Sequence, residues 1–558
     1  MIMSGLEVAG LAIGALSALA AFRGALDTVL LIESFFGSGD SSSFLAIRYH
    51  VEITRLDLWR HVFNIDDESK SPLKSLPDSV QNVVLEILAG ITNHLTSLKK
   101  LAEFHDIDIP DSVSSEQNKT ISAKVKSLSQ ARVKPKSRLR WTIRGRNDFE
   151  QQVSELSQLI RDLRSFTMDT AESQSLNMAL PCMSLVNIDR ADLLQSFQQH
   201  TYSSDAVIPP AAKAKLLYNN STHSTEVSVT VVDRTQIQFY KNSDSCGTLR
   251  LPGQEPRHIW IEWTAVGIED NIAAQRIKSL GCLLQTSSDP SLRLPVCHGI
   301  IDDVLLEAEK GVRQFGFLFG APDEDQVNQL RSIHSMPTSL TFRYESDFRI
   351  HPPESLRDLI RSSKKNRPPM LGDRFALASA LAIAFSRFHS AGWLHKGFRT
   401  DNIKFFAKND DQTTFTDVTS PFITGFQYSR PTDAQSLSSG PLDGEGLEYY
   451  YHPSIDKGFT KRTDLYSLGV VLYEIGYWGL IEDIAKKRGC PNDRRGWYKF
   501  VVGKLLPDLG WRMGETYQSV VRTLLECRVV EGDSNEDEKE FFTEYFIKVI
   551  YPLDPEKY

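Results

Sequence analysis

The sequence predicts a multidomain protein in which an all-α helical bundle precedes an α+β domain of two lobes. Three observations carry that expectation. Apolar residues recur at helical spacing as far as about residue 170, with no strand-like alternation among them. From Lys215 onward, Val227, Val229, Val231, Ile237 and Phe239 alternate with polar residues, as strands do. The chain, at 558 residues, is also longer than one hydrophobic core accommodates. The expected boundaries are 1–175 for the bundle, 176–205 for a connector with a brace helix, and 206–558 for the α+β domain.

Composition narrows the function classes. The 41% apolar and 24% charged fractions are those of an ordinary soluble protein. A net charge of -8 gives no global attraction to nucleic acid, and none is expected as a partner. The six cysteines are scattered without CxxC or CxxH spacing, which argues against zinc and against a disulfide framework and fits a reducing cytosol. No metal or other cofactor is expected. The first residues lack the basic region of a cleavable signal peptide, and Glu7 interrupts the early apolar run.

That run, Val8–Phe22, holds fifteen uncharged residues between Glu7 and Arg23, short of the ~20 that span a bilayer. Gly10 and Gly14 stand at GxxxG spacing, which lets another helix approach closely. Two readings stand for Val8, Gly10, Leu11, Ile13, Gly14, Leu16 and Leu19: a buried bundle helix, or a segment stored in the bundle that inserts into membrane when released. Farther on, Ser41–Ser43 cap a helix through Phe44–Val62 with Trp59 near its end. Pro77-Asp78 opens a second helix, and Asn147 with Glu150 forms a capping-box signature ahead of Phe149, Val153, Leu156, Ile160 and Leu163. Between them lie seven cations with no acid, Arg132, Lys134, Lys136, Arg138, Arg140, Arg144 and Arg146, interleaved with Trp141 and Ile143. Such a cluster is either a solvated loop or a contact for an anionic leaflet, where each cation contributes about 1 kcal/mol.

The small-residue opening Leu6–Ala21, the stretch Ile47-Arg48-Tyr49 through Arg55-Leu56-Asp57-Leu58-Trp59, and Leu139-Arg140-Trp141 followed by Phe149–Leu163 resemble the HeLo domain of fungal cell-death and heterokaryon-incompatibility proteins. Past a break expected at Pro181-Cys182, Asp189–His200 reads as the brace helix, with Leu193, Leu194 and Phe197 on its apolar stripe.

In the second half, His395-Lys396-Gly397-Phe398-Arg399-Thr400-Asp401-Asn402 follows an apolar helix and precedes the short strand Lys404-Phe405-Phe406. It resembles the protein-kinase catalytic loop H-R-D-x-x-x-x-N, in which Asp takes the substrate proton and Asn holds magnesium. His395 and Asn402 keep their places and Gly397 stands where the catalytic Asp would be. Gly425-Phe426 falls at the D-F-G position, so the metal-binding Asp is a glycine as well. Tyr450–Ser454 resembles the end of an activation segment, and Asp464–Ile475 resembles the D-x-W-S-x-G helix. Upstream, no G-x-G-x-x-G interrupts the strands, whose connections are expected at Asn219-Asn220 and Asp233-Arg234. In His258–Trp263 the strand Lys position is taken by Glu262, or alternatively by Trp263; a Glu262 carboxylate there repels phosphate. Arg276 and Lys278 on the next helix, Asn271–Leu284, stand where a kinase places its Glu, so a charge-reversed pair Glu262–Arg276 is expected. Phe315–Pro322 resembles the strand and hinge joining the lobes.

The combination resembles HeLo–pseudokinase proteins and, in architecture, the mixed-lineage kinase domain-like pseudokinases. The resemblance implies a regulated cell-death executor, cytoplasmic at rest, moving to the plasma membrane on activation. It also implies an activating partner, anionic lipids and a homo-oligomer as its contacts, and no kinase activity. A soluble signalling scaffold or decoy that acts only by protein–protein binding is the alternative from another class.

Overall fold

A computed structural model describes residues 19–26, 42–104 and 146–199, and from residue 208 most of the chain apart from 224–228, 268–270, 304–311, 323–342, 363–366, 410–413, 432–447, 530–537, 556–558 and a few isolated positions. The chain divides into two compact units, one of residues 1–208 with 534–543, the other of residues 209–533 with 544–558.

The first unit is all helical in its described residues: α1 (19–26), α2 (Ser42–Val62), α3 (Asp78–Phe104), α4 (Arg146–Thr167), α5 (Thr170–Leu185) and α6 (Ala191–Gln199). One stretch of α2, Val51–Trp59, is buried on every side, which makes it the central helix. Trp59 anchors it, stacked on Phe63 at 5.1 Å, edge-on to Phe22 at 6.2 Å, and donating its indole N–H to Thr167 at 2.9 Å. A helix enclosed all round must also bury its polar residues, and those need partners. Glu52 accepts from Arg55 at 3.2 Å and from Ser157 of α4 at 2.9 Å, and buried Asp57 pairs with Lys539 at 3.1 Å. The carboxy-terminal residues 534–543 are thus part of this unit.

Sequence expectations need three corrections here. α4 starts at Arg146, so Asn147 lies inside the helix and does not cap it. α5 runs through Pro181 without a break; the proline has no N–H for the carbonyl four residues back, a loss offset by burial of Leu176, Leu180, Met183 and Leu185. The expected brace helix exists as α6, but it belongs to the first unit, where Phe197 packs edge-on against His50 of α2 at 6.1 Å.

The second unit opens with α7 (Ile208–His223), whose Pro209 and Pro210 suit a first helical turn. The connection expected at Asn219-Asn220 is therefore helical. Tyr218 lies over Gly392, where an added Cβ would meet the ring at 2.7 Å and where φ is +85°, so glycine is required on both counts. Five antiparallel strands follow, β1 (Ile237–Phe239), β2 (Cys246–Leu249), β3 (Arg257–Gly267), β4 (Val296–Asp303) and β5 (Val312–Gly320), in the order β1-β2-β3-β5-β4. α8 (Asn271–Thr286) crosses between β3 and β4, and Val231 adds a parallel bridge to Ile300 at the β4 edge. Val232, Ile237, Leu249, Ile259, Ile261, Ile301 and Leu318 form the core of the sheet. The β1–β2 hairpin turns through Lys241-Asn242-Ser243-Asp244 and contains no glycine.

Beyond the sheet the unit is mainly helical, with α9 (Leu371–Ser390), α10 (Lys461–Tyr477), α11 (Ile481–Arg488), α12 (Leu506–Leu525) and α13 (Glu538–Tyr545), the last shared between the units by residue. α9 and α10 are buried over most of their length. They hold the loop between the short strands Trp393–Leu394 and Ile403–Phe405.

Candidate functional site

That loop is fixed from beneath by one carboxylate. Asp464, in the first turn of α10, accepts from the backbone N–H of His395 and of Lys396 at 2.8 Å each and from His389 Nε2 at 3.0 Å. Burial alone would raise the Asp464 pKa, but these donors hold it below its ordinary value. The same bonds fix Lys396 at φ +65°.

The His395 ring donates from Nε2 to the Thr424 carbonyl at 2.9 Å and packs against Phe426 at 5.1 Å, Phe398 at 5.3 Å and Phe385 at 6.2 Å. Burial among aromatic rings lowers its pKa, which favours the neutral imidazole. Thr424 N–H donates to the Asn402 carbonyl at 2.9 Å. A ring of hydrogen bonds therefore ties loop 395–402 to segment 424–426, and Phe426 is buried against His395 and Phe388.

Within this ring, Gly397, Asn402 and Gly425, the positions that carry the kinase-loop resemblance, close on one another. Asn402 donates its amide N–H to the Gly397 carbonyl at 2.7 Å. Gly425 adopts φ +80°, and an added Cβ would lie 2.7 Å from Asn402 Oδ1 and closer still to its Cγ and Nδ2. From the sheet, Glu262 of β3 reaches across to accept from Gly425 N–H at 2.8 Å. Burial raises the Glu262 pKa against the opposing effect of this bond, and burial beside Glu262 pushes the Cys297 thiol up to about 12.

The structure thus brings together Glu262, His395, Gly397, Asn402 and Gly425. For the expected pair, the Glu262 carboxylate accepts from Gly425 N–H, and Lys278, on the same helix as Arg276, pairs with Asp302 at 3.3 Å. Arg399 pairs with Asp401 at 3.4 Å. Of the early apolar run, Val8, Gly10, Leu11, Ile13, Gly14 and Leu16 lie outside the described residues, whereas Leu19 and Phe22 are buried in the bundle. Arg132, Lys134, Lys136, Arg138, Arg140 and Arg144 also lie outside them, and Arg146 is the first residue of α4.

Two features escape the sequence motifs. Thr424 carries two of the ring's bonds, and its identity signals neither. Tyr450 donates to Glu474 at 2.8 Å and meets Thr400 at 3.5 Å, while Ile481 N–H donates to the same carboxyl at 2.7 Å. Burial raises the Glu474 pKa to about 8. The apolar run around Glu474 was the available signal, since a carboxyl there must be buried and partnered. No group of His, Cys, Asp and Glu that could hold a metal ion occurs among the described residues, and no helix among them is long and apolar enough to cross a membrane.

Comparison with known families separates the two halves. Residues 325–553 match a domain of unknown function (DUF7580). No curated protein matches the chain. Residues 10–194 match the HeLo family, described as prion-inhibition and propagation, which gives the amino-terminal helical unit a role related to cell death or incompatibility.

Proposed function

We propose that the second unit is a kinase-like domain without phosphotransfer activity, a pseudokinase, and that it controls a HeLo unit which disrupts membranes to execute cell death. The observation that carries the pseudokinase half is the Glu262 to Gly425 hydrogen bond: a carboxylate stands where a cation would hold phosphate, and it is anchored on the glycine that stands where a metal-binding Asp would be. Support for kinase-like descent comes from the strand order with a helix between β3 and β4, and from Asp464 capping the His395 loop. Removing a general base alone typically lowers rates by ~10² to 10⁴, and the phosphate and metal clamps supply much of the remainder. Thermal shift with ATP and magnesium tests this half. No stabilisation is expected, and a rise of several degrees would contradict it.

For the first unit, Leu19, Phe22 and Leu26 are buried within the bundle, which supports a resting state that stores its amino-terminal segment. Activation then releases it toward anionic lipid, in company with the cations of 132–146, on a signal from an upstream partner and as a homo-oligomer. Dye release from anionic liposomes by the full chain and by residues 1–208 tests the reading. The fragment should release dye, and reversal of the seven cations should abolish release. Intact vesicles with both proteins would favour the soluble scaffold.

A further inference from the structure

α12 presents an aromatic side chain that its own packing cannot explain. The helix buries Leu506, Leu509, Met513, Tyr517, Val520 and Val521 on one face. Trp511 lies on the other, 94% exposed, the highest value among the exposed large hydrophobic residues. Gly514, at φ 84° and ψ 167°, interrupts the helix three residues later, so Trp511 sits near the end of a helical stretch that begins at Arg494.

Cations stand beside it in the chain and on α11. Arg512 holds its guanidinium 4.1 Å from the centre of the Tyr477 ring. Lys504, in the π-helical turn Val501–Leu505 that leads into α12, lies 5.4 Å over Phe500. Arg488, at the end of α11, reaches Asp508 of α12 at 2.6 Å, which joins the last turn of α11 to this face, and that turn also exposes Lys486 and Lys487. Asp508 is occupied by Arg488, and Glu515 lies beyond the Gly514 interruption.

An indole projecting from a positively charged surface matches a lipid headgroup layer: the ring settles at the boundary between acyl chains and water, and the cations meet anionic headgroups. A stable protein interface would need a contiguous patch of about 800 Å² on each partner, more than one aromatic tip supplies. We propose that Trp511 and Arg512 of α12, with Lys504 of the turn before it and Arg488 of α11, dock on an anionic lipid surface and give the second unit a membrane contact of its own. This goes beyond the membrane action proposed for the first unit and does not require it.

The test uses the full chain with Arg132, Lys134, Lys136, Arg138, Arg140, Arg144 and Arg146 replaced by glutamine, which removes the other cationic segment. Co-sedimentation with phosphatidylcholine vesicles containing phosphatidylserine should persist, and should vanish on pure phosphatidylcholine. Lys504→Gln and Arg512→Gln should each lower partition about five-fold, the equivalent of about 1 kcal/mol per cation near the surface. Trp511→Ala should lower it further at an unchanged melting temperature. Brominated lipid should quench tryptophan emission of the parent and lose much of that effect in Trp511→Phe, a readout that survives if a charge variant fails to fold. Equal partition of all variants, equal binding to neutral vesicles, or unchanged quenching in Trp511→Phe would overturn the proposal. So would a lipid-free dimer that Trp511→Ala dissolves, which would make a second copy the occupant. Loss of dye release with this contact intact would count against the first unit's role alone.

Discussion

Replacing Gly425 by aspartate tests the proposed kinase-like site directly, since it places a carboxylate against Asn402 and Glu262. The backbone stands at φ +80°, a conformation that disfavours an L side chain by about 1–2 kcal/mol. The new Cβ would lie 2.7 Å from Asn402 Oδ1 and closer to its Cγ and Nδ2, so Asn402 must swing away and release the Gly397 carbonyl that it now satisfies at 2.7 Å. Leaving this part-buried acceptor without its donor costs up to about 1–3 kcal/mol more. The introduced carboxylate also arrives beside Glu262, whose Oε2 lies 2.8 Å from Gly425 N, and like charges in a buried space raise the pKa of one of them. Gly425→Asp should therefore destabilise the second unit by about 3–5 kcal/mol, a large value for a point substitution. Urea unfolding followed through the second unit measures this, and thermal shift with magnesium and ATP measures any recovered binding. A variant as stable as the parent, or one that gains a nucleotide-dependent rise in melting temperature, would refute the closed-site reasoning.

Three further outcomes follow from buried charges. Glu474 has its pKa raised from 4.5 to about 8, so the folded state retains a proton that the unfolded chain releases, and its contribution to stability falls as pH rises through that window; Glu474→Gln should gain on the parent from about pH 5 to 8, and parallel pH profiles in calorimetry would contradict this. Asp464→Ala leaves the backbone N–H groups of His395 and Lys396 without their acceptor and should cost about 3–5 kcal/mol in chemical denaturation. Lys539→Ala removes the 3.1 Å partner of Asp57, and because Lys539 is itself 28% exposed the expected loss is about 1–3 kcal/mol. Burial raises the Asp57 pKa, yet Lys539 and His61 bring it below the ordinary value. The pair's stabilisation is accordingly present above the unfolded carboxylate pKa and lost as pH falls through the folded one, so the variant should show a flatter acid limb in melts of the first unit.

Much of the chain was legible because its periodicities are strong. Val84, Leu88, Ile91 and Leu95 mark the buried stripe of α3, and the alternation around Ile237 and Phe239 marks β1. Where patterning failed, tertiary packing had overridden local preference. Pro181 stays helical because the residues around it are buried in the bundle. The residues from Lys215 to His223 are helical with Tyr218 fitted over Gly392, a constraint from far along the chain.

The identities of Glu262, Gly397 and Gly425 were determined by the sequence, which by itself carries the resemblance to a kinase loop without its carboxylates. What took their place was decided only in three dimensions. Glu262 met the Gly425 N–H, Asn402 turned to the Gly397 carbonyl, and Asp57 found its cation at Lys539. Hydrogen-bond partners of buried polar groups are selected by distance after the backbone has folded, and separations of 163 and 482 residues along the chain leave no local pattern from which to read them.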